Sequence, residues 1–346
     1  MKIQLKHILS KREWTIILLI ASFLIASAIM IFYTPNHYTA EAPIRFEIKR
    51  GTPMNTIIDD LYIEDVIPNR FLMKVAIFLS GANRKIQAGE YNIPNDLSYL
   101  ELIELLSSGA GAFQKKVTIQ EGIWQFKLAG ILQRELGLDS AKIMRLSKDK
   151  KFLNSLLINA NSIEGYLLPE TYFFNSNVTE KEALKKLKNH MDKLFDENAR
   201  IQMALLGMTK HQILTMASII DGESNRVSEF KRIAGVYYNR LRKGIKLQAD
   251  PTVQFLKREK KRHNKIYYKD LEIDSPYNTY KYKGLPPGPI NNPGKDAVLA
   301  ALYPEENDYL FFVASGDGGH RFAKTKSEHE RNVAKYRRWR SNNRKR

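Results

Sequence analysis

Cysteine is absent from the 346 residues. Its absence removes thiolate zinc sites, iron–sulfur clusters, disulfide scaffolds and cysteine nucleophiles together, and leaves the redox compartment undetermined. Proline and glycine are sparse, at 13 and 19 residues, so a collagen-like or low-complexity chain is excluded. None of the 7 histidines pairs with another at zinc-ligand spacing and no H-E-x-x-H occurs, which argues against a metal site. The G-x-S-x-G elbow, the Walker A sequence and the G-x-G-x-x-G turn are all missing, as is any internal repeat. Acidic residues are outnumbered, 37 against 55 Lys and Arg, leaving a net charge of +18. Such a surplus favours polyanions, anionic headgroups or an acidic polymer as neighbours. At 43% hydrophobic residues the chain can bury a core, and its length predicts two or three domains.

What is present starts with a long apolar run. Trp14 to Tyr33 (WTIILLIASFLIASAIMIFY) carries no charge, and as a helix rising about 1.5 Å per residue it spans about 30 Å, the thickness of a bilayer core. A transmembrane anchor is expected over 14–33, after a short flank over 1–13. Lys2, Lys6, Lys11 and Arg12 face a single Glu13 in that flank, so the positive-inside rule places the N-terminus in the cytoplasm and the rest outside. A cleaved signal peptide is the competing reading. Against it, the run exceeds the roughly 7–15 residues of a signal core, and its small-residue site Ala26-Ser27-Ala28 lies inside the run. A domain exported in this way does not meet chromosomal DNA, so no nucleic-acid partner is expected.

Beyond Ala42 the pattern predicts a compact strand–helix–helix–strand module. A strand in PIRFEIKRG ends at Gly51, Thr52 caps a helix with Pro53 in its first position, a second helix covers Phe71 to Leu79, and IQAGEYNIP returns as a strand. Ser98 and Glu101 form a capping-box signal for YLELIELLSSG, closed by Gly109, with a strand near Phe113 to Ile119. Helices are expected at Gln125–Leu136 and Ala141–Leu146. EGYLLPETYFF reads as an irregular loop, and Thr179 with Glu182 opens an amphipathic helix whose lysines, Lys188 among them, read as a solvated face. A further domain begins near Thr209, where a capping box with Gln212 leads into ILTMASII, apolar nearly all round and therefore buried. Ser228 is placed to cap the next helix, YLFFVAS and RFAKT flank the hairpin turn GDGGH, and Ser327 with Glu330 opens a last basic helix.

Asp221-Gly222-Glu223 follows directly on that buried helix. A carboxyl group there loses water, which disfavours its charged form and raises its pKa, the condition for a proton donor near neutral pH. Two residues apart on a helix, Asp221 and Glu223 point in different directions and do not share a proton. The plain structural alternative is that Asp221 bonds a backbone amide and Glu223 pairs with Arg226. Downstream, NRL, LQADPT, SPYNTY, GLPPGPI and GGHRF form a dense run of polar turns, the kind that lines a pocket. Each also has a plain reading: Asp250 before Pro251 caps a helix, the prolines make a rigid turn, His320 packs in one, and the basic run Lys257 to Lys265 is a solvated or headgroup-facing loop.

Taken in order, the anchor, the small module and the motifs EGYLLPETY, MASIIDGES, NRL with LQADPT, SPYNTY, GLPPGPI and GGHRF resemble the endolytic murein transglycosylases, the MltG/YceG-like family. The family pattern A-S-I-[IV]-E-K-E, whose second acid is catalytic, falls on Ala217 to Glu223 and places the catalytic position at Glu223. This chain departs from it at Asp221 and Gly222, and loss of the usual lysine removes a positive charge beside the acid. The resemblance implies an α+β fold: the anchor, a LysM-like βααβ module over 42–95, a connecting helical and mixed region over 96–208 and a larger mixed catalytic domain over 209–346. It further implies a lyase without cofactor or metal that cuts the β-1,4 bond from N-acetylmuramic acid to N-acetylglucosamine without water and leaves 1,6-anhydro ends. Gln248, Asn278 and Tyr280 are the candidates for holding the sugars. The expected setting is the inner membrane with the catalytic domain in the periplasm, next to peptidoglycan synthases. A hydrolytic muramidase using Asp221 or Glu229 as second carboxylate, and a non-catalytic wall-binding scaffold, are the alternatives.

Overall fold

The computed structural model describes residues 11–36, 43–108, 114–175, 178–258 and 265–343. Lys2 and Lys6 of the basic flank, Gly109 and Phe113, and residues 259–264 of the basic run lie outside them. The chain divides into two compact units, residues 1–115 with 174–177, and residues 116–173 with 178–346.

The first unit opens with α1 (Lys11–Tyr33), among the described residues the one helix long and apolar enough to cross a membrane. Its mid-section is uncovered, with Phe23 and Leu19 mostly exposed. The small module follows as β1 (Ile44–Ile48), α2 (Met54–Ile63), α3 (Arg70–Ser80) and β2 (Gly89–Ile93), the strands pairing antiparallel with Phe46 opposite Tyr91. Alternate residues of both strands face inward, as a half-buried ribbon requires. Thr52 does not cap α2; its hydroxyl donates back to the Lys49 carbonyl. Asn69 caps α3 by accepting from the Phe71 and Leu72 amides. The expected Ser98–Glu101 box opens α4 (Tyr99–Ser108), and Tyr99, Leu102, Ile103 and Leu106 of that helix complete the module's core. The unit therefore runs to Lys115, because two helices over a two-stranded ribbon leave one apolar face for α4 to cover.

The division between the units falls within β3 (Gln114–Thr118), and the second unit continues with α5 (Gln125–Leu136), α6 (Ser140–Leu146) and α7 (Lys150–Ser155), the last two capped by Asp139 and Asp149. EGYLLPETYFF is not all loop. Its last residues form β4 (Thr171–Asn175), which pairs with β3, since Tyr172 and Phe174 alternate inward and Pro169 stops short of the strand. Helices α8 (Glu180–Asp192) and α9 (Glu197–Leu206) follow, α8 with the expected capping box. Lys188 is not solvated: it is buried and paired with Asp192.

The central helix is α10 (Lys210–Glu223), with both halves of the Thr209–Gln212 box in place. Ile213, Leu214, Met216, Ile219 and Ile220 are wholly buried, and at about 2 kcal/mol per side chain they contribute on the order of 10 kcal/mol to fixing it. Around it lie α11 (Val227–Arg242), α12 (Asp250–Leu256) and, past a 3-10 turn at Tyr268–Glu272, α13 (Lys295–Leu302). Ser228 falls inside α11 rather than capping it, and the Ser224 hydroxyl accepts the Arg226 amide instead. The hairpin forms as expected from β5 (Phe311–Ala314) and β6 (His320–Ala323), followed by α14 (Lys326–Asn343).

Candidate active site

Glu223 is the last residue of α10, where the chain turns extended at Ser224. A helix C-terminus carries partial negative charge, so a carboxylate there is already disfavoured. The side chain looks into a cavity of about 470 Å³. Its carboxyl accepts a hydrogen bond from the Tyr237 hydroxyl on α11, and Tyr237 is almost completely buried. Loss of water pushes the Glu223 carboxyl up to about 8, against the pull of the Tyr237 bond; the nearby Asp250 charge adds to the rise and Arg240 offsets part of it. Burial also drives the Tyr237 phenol far above its ordinary value, so it remains a donor.

Two other carboxyls are raised, and geometry separates them from Glu223. Asp221, pushed up to about 6 by burial, accepts from the Gly294 amide at 2.7 Å, where Gly294 stands at the start of α13. Glu164, pushed up to about 7 by burial, accepts from the Gln125 amide at the start of α5. Both hold helix ends in place, and neither lines the cavity. Arg226 does not pair with Glu223, since its guanidinium donates to the Asp317 carbonyl.

Gly222 makes room for the cleft wall. A Cβ at this position would lie 2.6 Å from Pro251, so the last turn of α10 packs directly on the first turn of α12. Asp250 is not an N-cap: it is the first helical residue after Ala249, and its carboxylate accepts from the Tyr280 hydroxyl at 2.5 Å. Gln248 has a left-handed φ of 52°, an uncommon conformation for a residue with a Cβ. It is held there from both sides: its amide donates to the Thr279 carbonyl at 3.1 Å and its side-chain oxygen accepts from Arg240 at 3.3 Å. The Arg240 guanidinium also donates to the carbonyls of Lys246, Leu247 and Leu310, tying α11 to the loop before α12 and to the hairpin.

Of the residues expected to touch sugar, Gln248 and Tyr280 line the cavity with Glu223 and Asn278 does not. Asn278 is fully buried. Its amide donates to the Leu271 and Ile273 carbonyls and its oxygen accepts from the Tyr280 amide, so all its bonding is spent on shaping the SPYNTY turn. The other motifs are also framework. Ser218 of α10 accepts from the Ile290 amide, and its carbonyl accepts from Asn291; Asn292, two residues beyond GLPPGPI, accepts from the Gly165 amide of EGYLLPETY. His320 is no mere turn residue: it lines the cavity, with Nδ1 2.7 Å from a Glu229 carboxylate oxygen. Glu229 also accepts the His320 amide. Tyr237 was not marked by any motif, and NRL and GGHRF, which contain Arg240 and His320, did not show what these two side chains bind. Among the described residues no group of three metal-ligating side chains comes together.

Fold and site thus define a mixed α+β protein with an apolar N-terminal helix and a cleft in which the carboxyl of Glu223 is raised by burial. The YceG-like family model matches residues 46–335. An endolytic murein transglycosylase of Bacillus subtilis (strain 168) is 34% identical over 316 residues, 87% of either chain. A protein of the same name from Streptococcus pneumoniae R6 is 29% identical over 283 residues, 72% of this chain and 51% of that one, so the chain spans about half the length of the pneumococcal relative. The crystal structure of a YceG-like protein from Listeria monocytogenes superposes with a TM-score of 0.57 at 33% identity, covering 83% of this chain and 98% of that one. The chain belongs to the YceG-like family.

Proposed function

We propose that this protein is an endolytic peptidoglycan transglycosylase, a lyase that cuts glycan strands internally. The observation that carries the reading is Glu223, a carboxyl held protonated near neutrality by burial and open to a cleft. Protonated Glu223 gives its proton to the glycosidic oxygen as positive charge builds on the muramic acid ring. Tyr237, already donating to this carboxyl, favours the carboxylate left behind. That carboxylate then takes the proton from the muramic acid C6 hydroxyl as its oxygen bonds to the anomeric carbon, closing the 1,6-anhydro ring. The substrate supplies its own nucleophile, so one acid suffices. Gln248 and Tyr280 border the sugar, and the Asp250 carboxyl lies on the side where positive charge builds on the ring.

Asp221 and Glu229 do not line the cavity and Asp250 does, so Asp250 is the carboxylate through which a hydrolytic reaction would have to run. The apolar helix α1 is in keeping with a single-pass anchor in the inner membrane. In the same proposal the basic flank faces the cytoplasm, the catalytic unit faces the periplasm, the small LysM-like module binds the same polymer, and synthases deliver nascent strands to it. Glu223→Gln in the full chain keeps size and removes the titrating proton. Release of anhydro ends from purified peptidoglycan is expected to fall by about three orders of magnitude; parental activity in the variant would overturn the assignment, as would a wild-type protein that binds glycan without cutting it.

A further inference from the structure

A groove of about 720 Å³ runs along α14 and shares Arg240, Gln248 and His329 with the cavity that holds Glu223. Its floor includes the apolar Phe311, and Lys326, Arg337 and Arg338 stand around it with Glu330 as the lone acid. At the junction His329 stacks on Phe311, ring centres 5.1 Å apart. Its Nδ1 is closed off from solvent and has no hydrogen-bond partner among the described residues. A buried polar atom left unpaired is costly, and points to a group supplied from outside.

We propose that this groove receives the peptide stem of the glycan, a short chain bearing free carboxylates, while the neighbouring cavity holds the sugars. The inference rests on the transglycosylase reading. Charge decides between strand and stem. Once the lactyl group of muramic acid is amide-linked to a peptide, the strand itself is uncharged and the carboxylates sit on the stem alone. A cationic rim discriminates nothing along neutral sugars and selects an anionic branch. Position agrees with charge: the muramic acid whose anomeric carbon reacts also carries the stem, so the branch must leave the cavity beside the cut bond. His329 stands at that mouth, lining both the groove and the cavity.

The test uses the full chain in detergent and two polymers, glycan with intact stems and the same glycan stripped of stems by an amidase. Wild-type protein is expected to favour the stem-bearing polymer about tenfold in kcat/KM. Arg337→Glu with Arg338→Glu brings that ratio close to one through KM, whereas Arg337→Lys with Arg338→Lys retains most of it. An unchanged ratio in the charge-reversed protein, or equal loss on both polymers, overturns the proposal. A second measurement separates it from the catalytic reading: binding of a dye-labelled acidic pentapeptide to the Glu223→Gln protein, with the fully amidated peptide as comparison. Binding that requires the carboxylates and disappears on charge reversal supports the groove even if neither polymer is cut, in which case the transglycosylase reading fails alone. Equal binding of both peptides, or of neither, overturns the groove.

Discussion

Replacing Glu223 by Gln should make the protein more stable, and increasingly so as pH rises. The carboxyl is raised from 4.5 to about 8 by folding, so the native state holds its proton more tightly than the unfolded chain does. The stability this group contributes is fully present below about pH 4.5 and is lost as pH climbs through about 8. Between those limits the wild-type protein loses about 1.4 kcal/mol per pH unit at this site, toward a ceiling of about 5 kcal/mol. Part of the side chain faces the cleft, and water there reduces the realised loss to about half. Glutamine does not titrate, so the difference between the two proteins isolates Glu223 from every other group. Thermal midpoints measured in parallel from pH 5 to pH 9 should diverge, the variant gaining several degrees over wild type by pH 9. A constant difference across that range would mean that Glu223 ionises at its ordinary value, and burial could not then be what makes it an acid.

Tyr237→Phe removes the hydrogen bond that favours ionised Glu223. A bond to a charged group is worth about 1.5–3 kcal/mol, so the alkaline limb of the kcat/KM profile should move up by about one pH unit or more while kcat falls; an unmoved limb would disconnect Tyr237 from the acid. Asn278→Ala leaves two half-buried carbonyls without this donor and one amide without its acceptor, costing about 1–3 kcal/mol, and should lower the thermal midpoint. Unchanged stability with a raised KM for glycan would show instead that Asn278 reaches the substrate.

Features set by local chemistry were legible in the residues. The capping box at Thr209, the apolar run after it and the carboxyl at its end located α10 and Glu223, since cap, core and desolvated acid follow in consecutive positions. The hairpin before α14 announced itself by its glycines. What escaped depends on partners distant in sequence. Tyr237 sits on the inward stripe of α11, where spacing cannot tell a packing ring from a proton donor to Glu223. His320 finds Glu229 across 91 positions, and no motif encodes that separation. Asn278 reads two ways in the sequence because an amide that fits an N-acetyl group fits backbone carbonyls equally well; in the fold it is buried, bonded to carbonyls and away from the cavity lining. Thr52 and Ser228 failed as caps for a related reason: a short hydroxyl has several backbone groups in reach, and the fold chooses among them.

The most direct measurement of the mechanism is digestion of purified peptidoglycan by the full chain in ¹⁸O-labelled water, with mass spectrometry of the newly formed ends. If Glu223 serves as acid and then base while the sugar attacks itself, the ends are 1,6-anhydro and carry no label, and they vanish in Glu223→Gln. Reducing muramic acid ends bearing one ¹⁸O would contradict this, placing water in the reaction and giving Asp250, the other carboxyl of the cleft, the task of activating it.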